Sequence, residues 1–159
     1  MDIYYGIYSM SAEWNSLLMW AHYASNHKGI CIGFFQQKIV NLNKFIMGSV
    51  HYPVDNTFPD ITPFDDDTKM LLIQTNTKSN EWLYEKEYRL INLYHPYPPT
   101  IKDRTYSLSD NIIAEIIIGM RATEETRREI IQIAKNKKVK VFEIRQKPFK
   151  FEIERIQIL

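Results

Sequence analysis

Residues 82–91 read Trp-Leu-Tyr-Glu-Lys-Glu-Tyr-Arg-Leu-Ile, so two carboxylates and a guanidinium lie among aromatic rings just ahead of an apolar segment. Successive side chains of an extended chain point to opposite faces. We therefore predict a strand from Trp82 to Tyr94, one face of which presents Glu85, Glu87 and Arg89. Such a face is either solvent-exposed and joined by a salt bridge or the floor of a polar site.

The elements around this strand predict an α+β fold. Helical spacing and capping residues predict the helices, and β-branched or alternating segments predict the other strands. The predicted elements are a strand at Ile3–Tyr8, a helix capped by Ser11 and continuing to Asn26, a strand at Ile30–Phe35, an extended segment at Val50–Tyr52, a helix at Thr68–Asn80, a strand at Asn111–Ile118, a helix capped by Thr123, and a closing hairpin of Val139–Ile144 and Phe149–Ile158. We expect a single domain over residues 1–159, with a mixed or mostly antiparallel sheet of six or seven strands and about three helices.

The composition is that of an ordinary globular protein and excludes several classes. The net charge is +1 and the pI is near 7.8, so no global field recruits nucleic acid or an anionic membrane. No segment approaches the ~20 apolar residues of a membrane span, and no signal peptide is visible. Because Cys31 is the single cysteine, an intrachain disulfide is excluded and a cytoplasmic location is expected.

Several kinds of catalytic site find little support in the residue patterns. His22, His27 and Cys31 could suggest a metal, but the two imidazoles would point about 140° apart on a helix. Zinc also needs a fourth ligand, so we expect no metal. The five glycines are isolated, which excludes the usual phosphate-binding loops, and no serine lies in a Gly-x-Ser-x-Gly motif.

A second cluster of candidate site residues lies upstream of the strand at residues 82–94. It begins with Ser9 and Ser11 and continues along a helix with Trp20, His22 and Tyr23. The indole and phenol rings occur at i and i+3, so they form an aromatic stripe on that helix. The stripe is either the flank of a packed helix or part of a binding site.

Four segments together carry a resemblance to a known family. They are residues 18–34, which read Leu-Met-Trp-Ala-His-Tyr-Ala-Ser-Asn-His-Lys-Gly-Ile-Cys-Ile-Gly-Phe, residues 82–91, Val50-x-Tyr52, and Ile116-Ile117-Ile118-Gly119-x-Arg121. These segments resemble the bacterial family called domain of unknown function 2971, whose name supplies no reaction. Members usually carry a preceding section with a motif resembling Asn-Asp-Pro-Phe, so we expect this chain to lack an upstream segment.

The order of the motifs is also similar, more remotely, to that of ADP-ribosyltransferases. The matching features are Gly6-Ile7-Tyr8-x-x-Ser11, a helix ending in Tyr23-Ala24, a strand, and the later Glu87-Tyr88-Arg89-Leu90-Ile91. The pair Glu85-x-Glu87 matches a Glu-x-Glu pair of the arginine-modifying relatives. In those enzymes an aromatic ring clamps the nicotinamide of NAD, a carboxylate faces the ribose, and an arginine or histidine holds the pyrophosphate or ribose.

This resemblance implies a polar cleft with NAD as co-substrate. Glu87 would stabilise the ribosyl cation, and Glu85 would orient or deprotonate the acceptor. Arg89 would complete the catalytic set, and Tyr23 would stack on nicotinamide. The other expected binding residues are His22, Trp20, Ser9 and Ser11.

Two other functions stay open from the sequence. A non-catalytic binding module would use Trp20, Trp82 and the tyrosines as an interaction surface or as core. A metal-dependent hydrolase would use His22 and His27. Under the favoured interpretation the partner is a nucleotide-containing small molecule, with no membrane and no nucleic acid.

Overall fold

The computed structural model describes residues 4–159, apart from the side chain of Asp110, and this part of the chain forms seven strands and four α-helices. In chain order they are β1 (Tyr5–Ser11), α1 (Leu17–Tyr23), β2 (Ile30–Phe34), α2 (Gln36–Val40), β3 (Ile46–Ser49), α3 (Asp67–Asn76), β4 (Glu87–Leu93), β5 (Ile113–Ile118), α4 (Glu124–Lys137), β6 (Lys140–Gln146) and β7 (Ile153–Gln157). Short 3-10 helices at Asn80–Glu85 and Asp110–Ile112 precede β4 and β5. The predicted α+β class is confirmed.

Two compact units divide the chain, and each is built from two separate stretches. Unit 1 comprises the described residues up to Glu13 together with Lys44–Tyr106, and unit 2 comprises Trp14–Asn43 and Ser107–Leu159. The strands consequently form two sheets, one in each unit. A single domain over residues 1–159 stays a prediction.

Unit 1 contains an antiparallel sheet in the order β1–β4–β3. The central strand β4 pairs with β1 along its whole length and with β3 on its other side. Leu90 and Ile91 of β4 are buried, as expected for the strand in the middle of a sheet. The first strand was predicted at Ile3–Tyr8 and is observed further along the chain at Tyr5–Ser11, while Ile3 lies outside the described residues.

Unit 2 contains a mixed sheet in the order β2–β5–β6–β7. β5 and β6 are parallel and are connected through α4, whereas the other two pairs are antiparallel. Along β5, Ile117 packs in one buried cluster with Trp20, and Ile116 and Ile118 pack in a second cluster with Ala134. The strand is therefore buried on both faces, as its run of isoleucines predicts.

The observed helix ends show which of the predicted capping residues and boundaries are correct. Thr123 caps α4 by accepting a hydrogen bond from the N–H of Thr126 at 3.1 Å, as predicted. The predicted cap of the first helix is wrong, because Ser11 belongs to β1 and Ser16 caps α1 instead. This helix also ends earlier than predicted, since residues 25–27 have φ values of 50°, 54° and 67° and cannot continue a right-handed helix.

Candidate functional site

The segment before β4 holds Glu85 away from the strand. The predicted strand from Trp82 is wrong for its first residues, because Asn80–Glu85 form a 3-10 helix. Ser79 begins this helix by accepting a hydrogen bond from the N–H of Glu81, and Lys86, with φ of 45°, ends it in the left-handed region. Glu85 and Glu87 therefore do not share a strand face, and only Glu87 and Arg89 lie together on β4.

Glu87 is a buried carboxylate bonded on both oxygens. Its Oε1 accepts from Nε of Arg89 at 2.8 Å, and its Oε2 accepts from Nη2 of Arg89 at 3.2 Å and from Nζ of Lys78 at 3.1 Å. The hydroxyl of Ser9 also bonds to this carboxylate. At the backbone, the N–H of Glu87 donates to the hydroxyl of Tyr52 at 3.0 Å. The carboxylate is thus fixed in orientation.

Burial and hydrogen bonding have opposite effects on the pKa of Glu87. Burial alone would raise the pKa of this carboxyl group, because it penalises the charged form. The hydrogen bonds from Arg89, Ser9 and Lys78 outweigh burial and lower the pKa of Glu87 from 4.5 to about 2. The group is therefore ionised throughout the neutral range. It can stabilise a positive charge there but cannot donate a proton as a general acid.

Lys78 connects the two carboxylates. Its ammonium forms ion pairs with both Glu85 and Glu87, and it lies 4.7 Å from the centre of the Trp82 ring. Burial lowers the pKa of Lys78, but its hydrogen bonds to both carboxylates prevail, so that its pKa is raised. The lysine is 23% exposed, whereas the side chains of Glu85 and Glu87 are 4% and 6% exposed. Lys78 is thus the more exposed partner in both ion pairs.

β1 supplies the two predicted serines to the same region. Ser9 is paired with Arg89, and Ser11 with Glu87, across the β1–β4 ladder. The hydroxyl of Ser11 donates to the backbone carbonyl of Glu85 at 2.7 Å, which ties the end of the 3-10 helix to β1. Nη1 of Arg89 donates to the backbone carbonyl of Thr75 at the end of α3. Unit 1 therefore brings together five of the predicted residues, namely Ser9, Ser11, Glu85, Glu87 and Arg89.

The other predicted binding residues lie on α1 in unit 2. Trp20 is 3% exposed within a hydrophobic cluster, and its Nε1 donates to the carbonyl of Trp14 at 2.6 Å. These contacts give Trp20 a packing role. His22 and Tyr23 are exposed, and their rings meet edge to face with centres 6.3 Å apart. The assignment of nicotinamide stacking to Tyr23 stays a prediction.

The histidines do not assemble a metal centre in the described part of the chain. His22 is exposed at the end of α1, and His27 follows it in the left-handed turn before β2. Among residues 4–159, no group of three or more His, Cys, Asp or Glu side chains is close enough to hold a metal ion. Over the same residues, no helix is both long and apolar enough to cross a membrane.

Two members of the cluster were missed by sequence reasoning. Lys78 precedes Glu87 by nine residues and is separated from it by a helix boundary, so no strand or helix period relates them. Tyr52 is 35 residues from Glu87. The sequence singled out Tyr52 through the family segment Val50-x-Tyr52. That segment did not indicate that Tyr52 contacts Glu87.

Part of the chain matches a known protein family. No curated protein and no solved structure matched the chain. The family model described as Protein of unknown function (DUF2971) matches residues 19–90. This segment includes Val50-x-Tyr52 and nearly all of the two strings at residues 18–34 and 82–91, but not Ile116–Arg121. Over residues 19–90 the chain is therefore similar to the DUF2971 family, which supports the resemblance found in the sequence.

Proposed function

We propose that unit 1 carries the acidic centre of an NAD-dependent ADP-ribosyltransferase-like enzyme. The observation that carries the proposal is the fixed and ionised carboxylate of Glu87 at the first residue of β4. Arg89 and Ser9 hold this carboxylate, and Glu85 lies with it on the ammonium of Lys78. The spacing Glu85-x-Glu87 matches the pair that the resemblance implies.

The chemistry of nicotinamide cleavage explains why such a carboxylate is needed. The bond between the ribose carbon and the nicotinamide nitrogen breaks, its electron pair leaves with nicotinamide, and positive charge develops on the ribose. A fixed negative group stabilises that charge more strongly in the transition state than in the ground state. With a pKa of about 2, Glu87 carries its charge without help from a base. The second carboxylate, on Glu85, would act on the acceptor.

Calorimetric titration of NAD, with nicotinamide release measured on the same samples, tests this function. We expect the wild-type chain to bind NAD and Glu87→Gln to release nicotinamide about a hundredfold more slowly or not at all. Glu81→Gln is the matched control, since Glu81 is an exposed carboxylate in the 3-10 helix that precedes β4. Unfolding curves establish that each variant is folded. Equal release by wild type and Glu87→Gln, or no binding by either, contradicts the proposal.

A non-catalytic module is the second candidate, and one observation favours it. Both oxygens of Glu87 already accept hydrogen bonds from the cations of Arg89 and Lys78. A network of this kind can have a purely structural role, in which it positions backbone elements and takes part in no reaction. In that case Glu87→Gln changes the free energy of unfolding but no binding property. The half-exposed ring of Trp82 then belongs to an interaction surface, and Trp82→Ala weakens binding of the partner.

A further inference from the structure

The turn between β6 and β7 presents two phenylalanine rings to solvent. Phe149 is fully exposed and Phe151 is 95% exposed, so both rings are open to water. Single exposed apolar residues are common on protein surfaces. Two fully exposed aromatic rings at the end of one hairpin form a concentrated apolar patch, which is typical of an interaction site.

The backbone of this turn does not favour a phenylalanine at its tip. The N–H of Lys150 donates to the carbonyl of Lys147 at 3.2 Å, which closes a β-turn with Pro148 second and Phe149 third. Phe149 has a φ of 59°. Proline followed by a residue of positive φ is the pattern of a type II turn, whose third position favours glycine or asparagine. A bulky residue is strained there, so folding alone does not explain why this position holds a phenyl ring.

Basic side chains accompany the two rings. The tip, defined as Lys147–Phe151, has the sequence Lys-Pro-Phe-Lys-Phe and carries two positive charges and no negative charge. Glu152 follows the tip and pairs with Lys147 at 2.8 Å, which leaves Lys150 as the basic group at the end of the turn. Arg145 precedes the tip on β6, but it lies opposite Glu154 of β7, so it adds no net positive charge there.

We propose that this tip binds the surface of an anionic lipid bilayer. Aromatic rings flanked by lysines suit the bilayer interface, because the rings enter the apolar boundary while the ammonium groups stay at the phosphates. Two rings that are almost fully open to water also fit a deformable lipid surface. The net charge of +1 does not oppose this contact, since the attraction acts within a Debye length of about 10 Å. The lipid contact is independent of the proposed function of unit 1.

The strain at Phe149 allows a test in which stability and binding change in opposite directions. Phe149→Gly relieves the positive φ, so the variant should unfold at the same temperature as the wild type or a higher one. Loss of the ring should weaken binding to vesicles by about tenfold. A merely structural role for the ring would give the reverse result, with binding unchanged and stability reduced.

Co-sedimentation with vesicles supplies the measurement. We expect the full chain to bind vesicles of phosphatidylcholine containing about a third phosphatidylserine, to bind pure phosphatidylcholine more weakly, and to lose binding as salt rises. Lys147→Gln with Lys150→Gln should weaken binding to the anionic vesicles by about tenfold. Phe64→Ser is the matched control, because Phe64 is 97% exposed in a loop of unit 1, and it should bind as the wild type does. Absence of wild-type binding, or equal binding by wild type and Phe149→Gly, overturns the proposal.

Discussion

The carboxylate of Glu87 makes the stability of the folded chain depend on pH. Its pKa falls from 4.5 to about 2 on folding, so the folded state binds this proton less readily than the unfolded chain does. The resulting stabilisation is fully present above pH 4.5 and is lost as the pH falls towards 2. We expect Glu87→Gln to lower the free energy of unfolding by about 1–3 kcal/mol at pH 7, and the difference to vanish towards pH 2. Urea unfolding over this pH range measures both quantities.

Glu152→Gln serves as the control for that experiment. Glu152 also pairs with a lysine, at 2.8 Å, but its side chain is 56% exposed. Solvent screens such a pair, so its removal should cost much less stability than the loss of Glu87. Equal losses in the two variants would show that burial and the contacts of Arg89 and Ser9 add nothing to the stabilisation by Glu87.

Contacts of the candidate site between residues close together in the chain could be predicted from the sequence. Contacts between residues far apart in the chain could not. Glu87 and Arg89 are two residues apart, so strand alternation places them on one face, as predicted. The contact of Ser9 with Glu87 required the β1–β4 register, and the sequence gives no signal for that register. Lys78 was missed for a similar reason, because a left-handed residue and a 3-10 helix separate it from β4.

At the scale of the secondary-structure elements, the close approach of the α1–β2 connection to the end of β5 leads to a prediction. The N–H of Gly119 donates to the carbonyl of Gly29 at 2.9 Å, and a Cβ at Gly119 would overlap the backbone carbonyl of His27. Backbone atoms cannot move aside as a flexible side chain can. We therefore expect Gly119→Ala to lower the free energy of unfolding by about 3 kcal/mol, as measured by urea denaturation.

Gly6→Ala is the matched substitution in β1. Its added methyl group would lie 3.0 Å from the ring of Tyr94, a side chain that can shift by a few tenths of an ångström. We expect a loss below about 1.5 kcal/mol. A loss for Gly119→Ala no larger than that for Gly6→Ala would contradict the close packing of this connection against β5.

The elements differ in how far local signals determine them. α4 was predicted correctly because its cap at Thr123, its acidic first turn and its basic last turn all lie within the helix itself. Residues 82–86 were predicted as strand because they alternate, yet Ser79 and the left-handed Lys86 enclose a 3-10 helix there. Alternation over five residues is too short to outweigh those two ends, and pairing with β1 begins only at Glu87.

At the scale of the whole molecule, backbone amides of central strands should be better protected from hydrogen exchange than those of edge strands. β4 in unit 1, and β5 and β6 in unit 2, are paired on both sides, whereas β1, β3, β2 and β7 are edge strands. We expect hydrogen exchange followed by mass spectrometry to be slowest in β4, β5 and β6 and fastest in the irregular residues 53–65. Each unit should therefore show its own protected segment.

The exchange of β4 is the most informative part of that measurement, because β4 also carries Glu87 and Arg89. Slow exchange there means that the sheet of unit 1 holds the two side chains on a stable strand, which the ion pairs of Glu87 with Lys78 and Arg89 require. Exchange in β4 as fast as in residues 53–65, while β5 stays protected, would contradict the β1–β4–β3 sheet. The carboxylate of Glu87 would then lack a fixed orientation, and stabilisation of a ribosyl cation by that group would lose its structural basis.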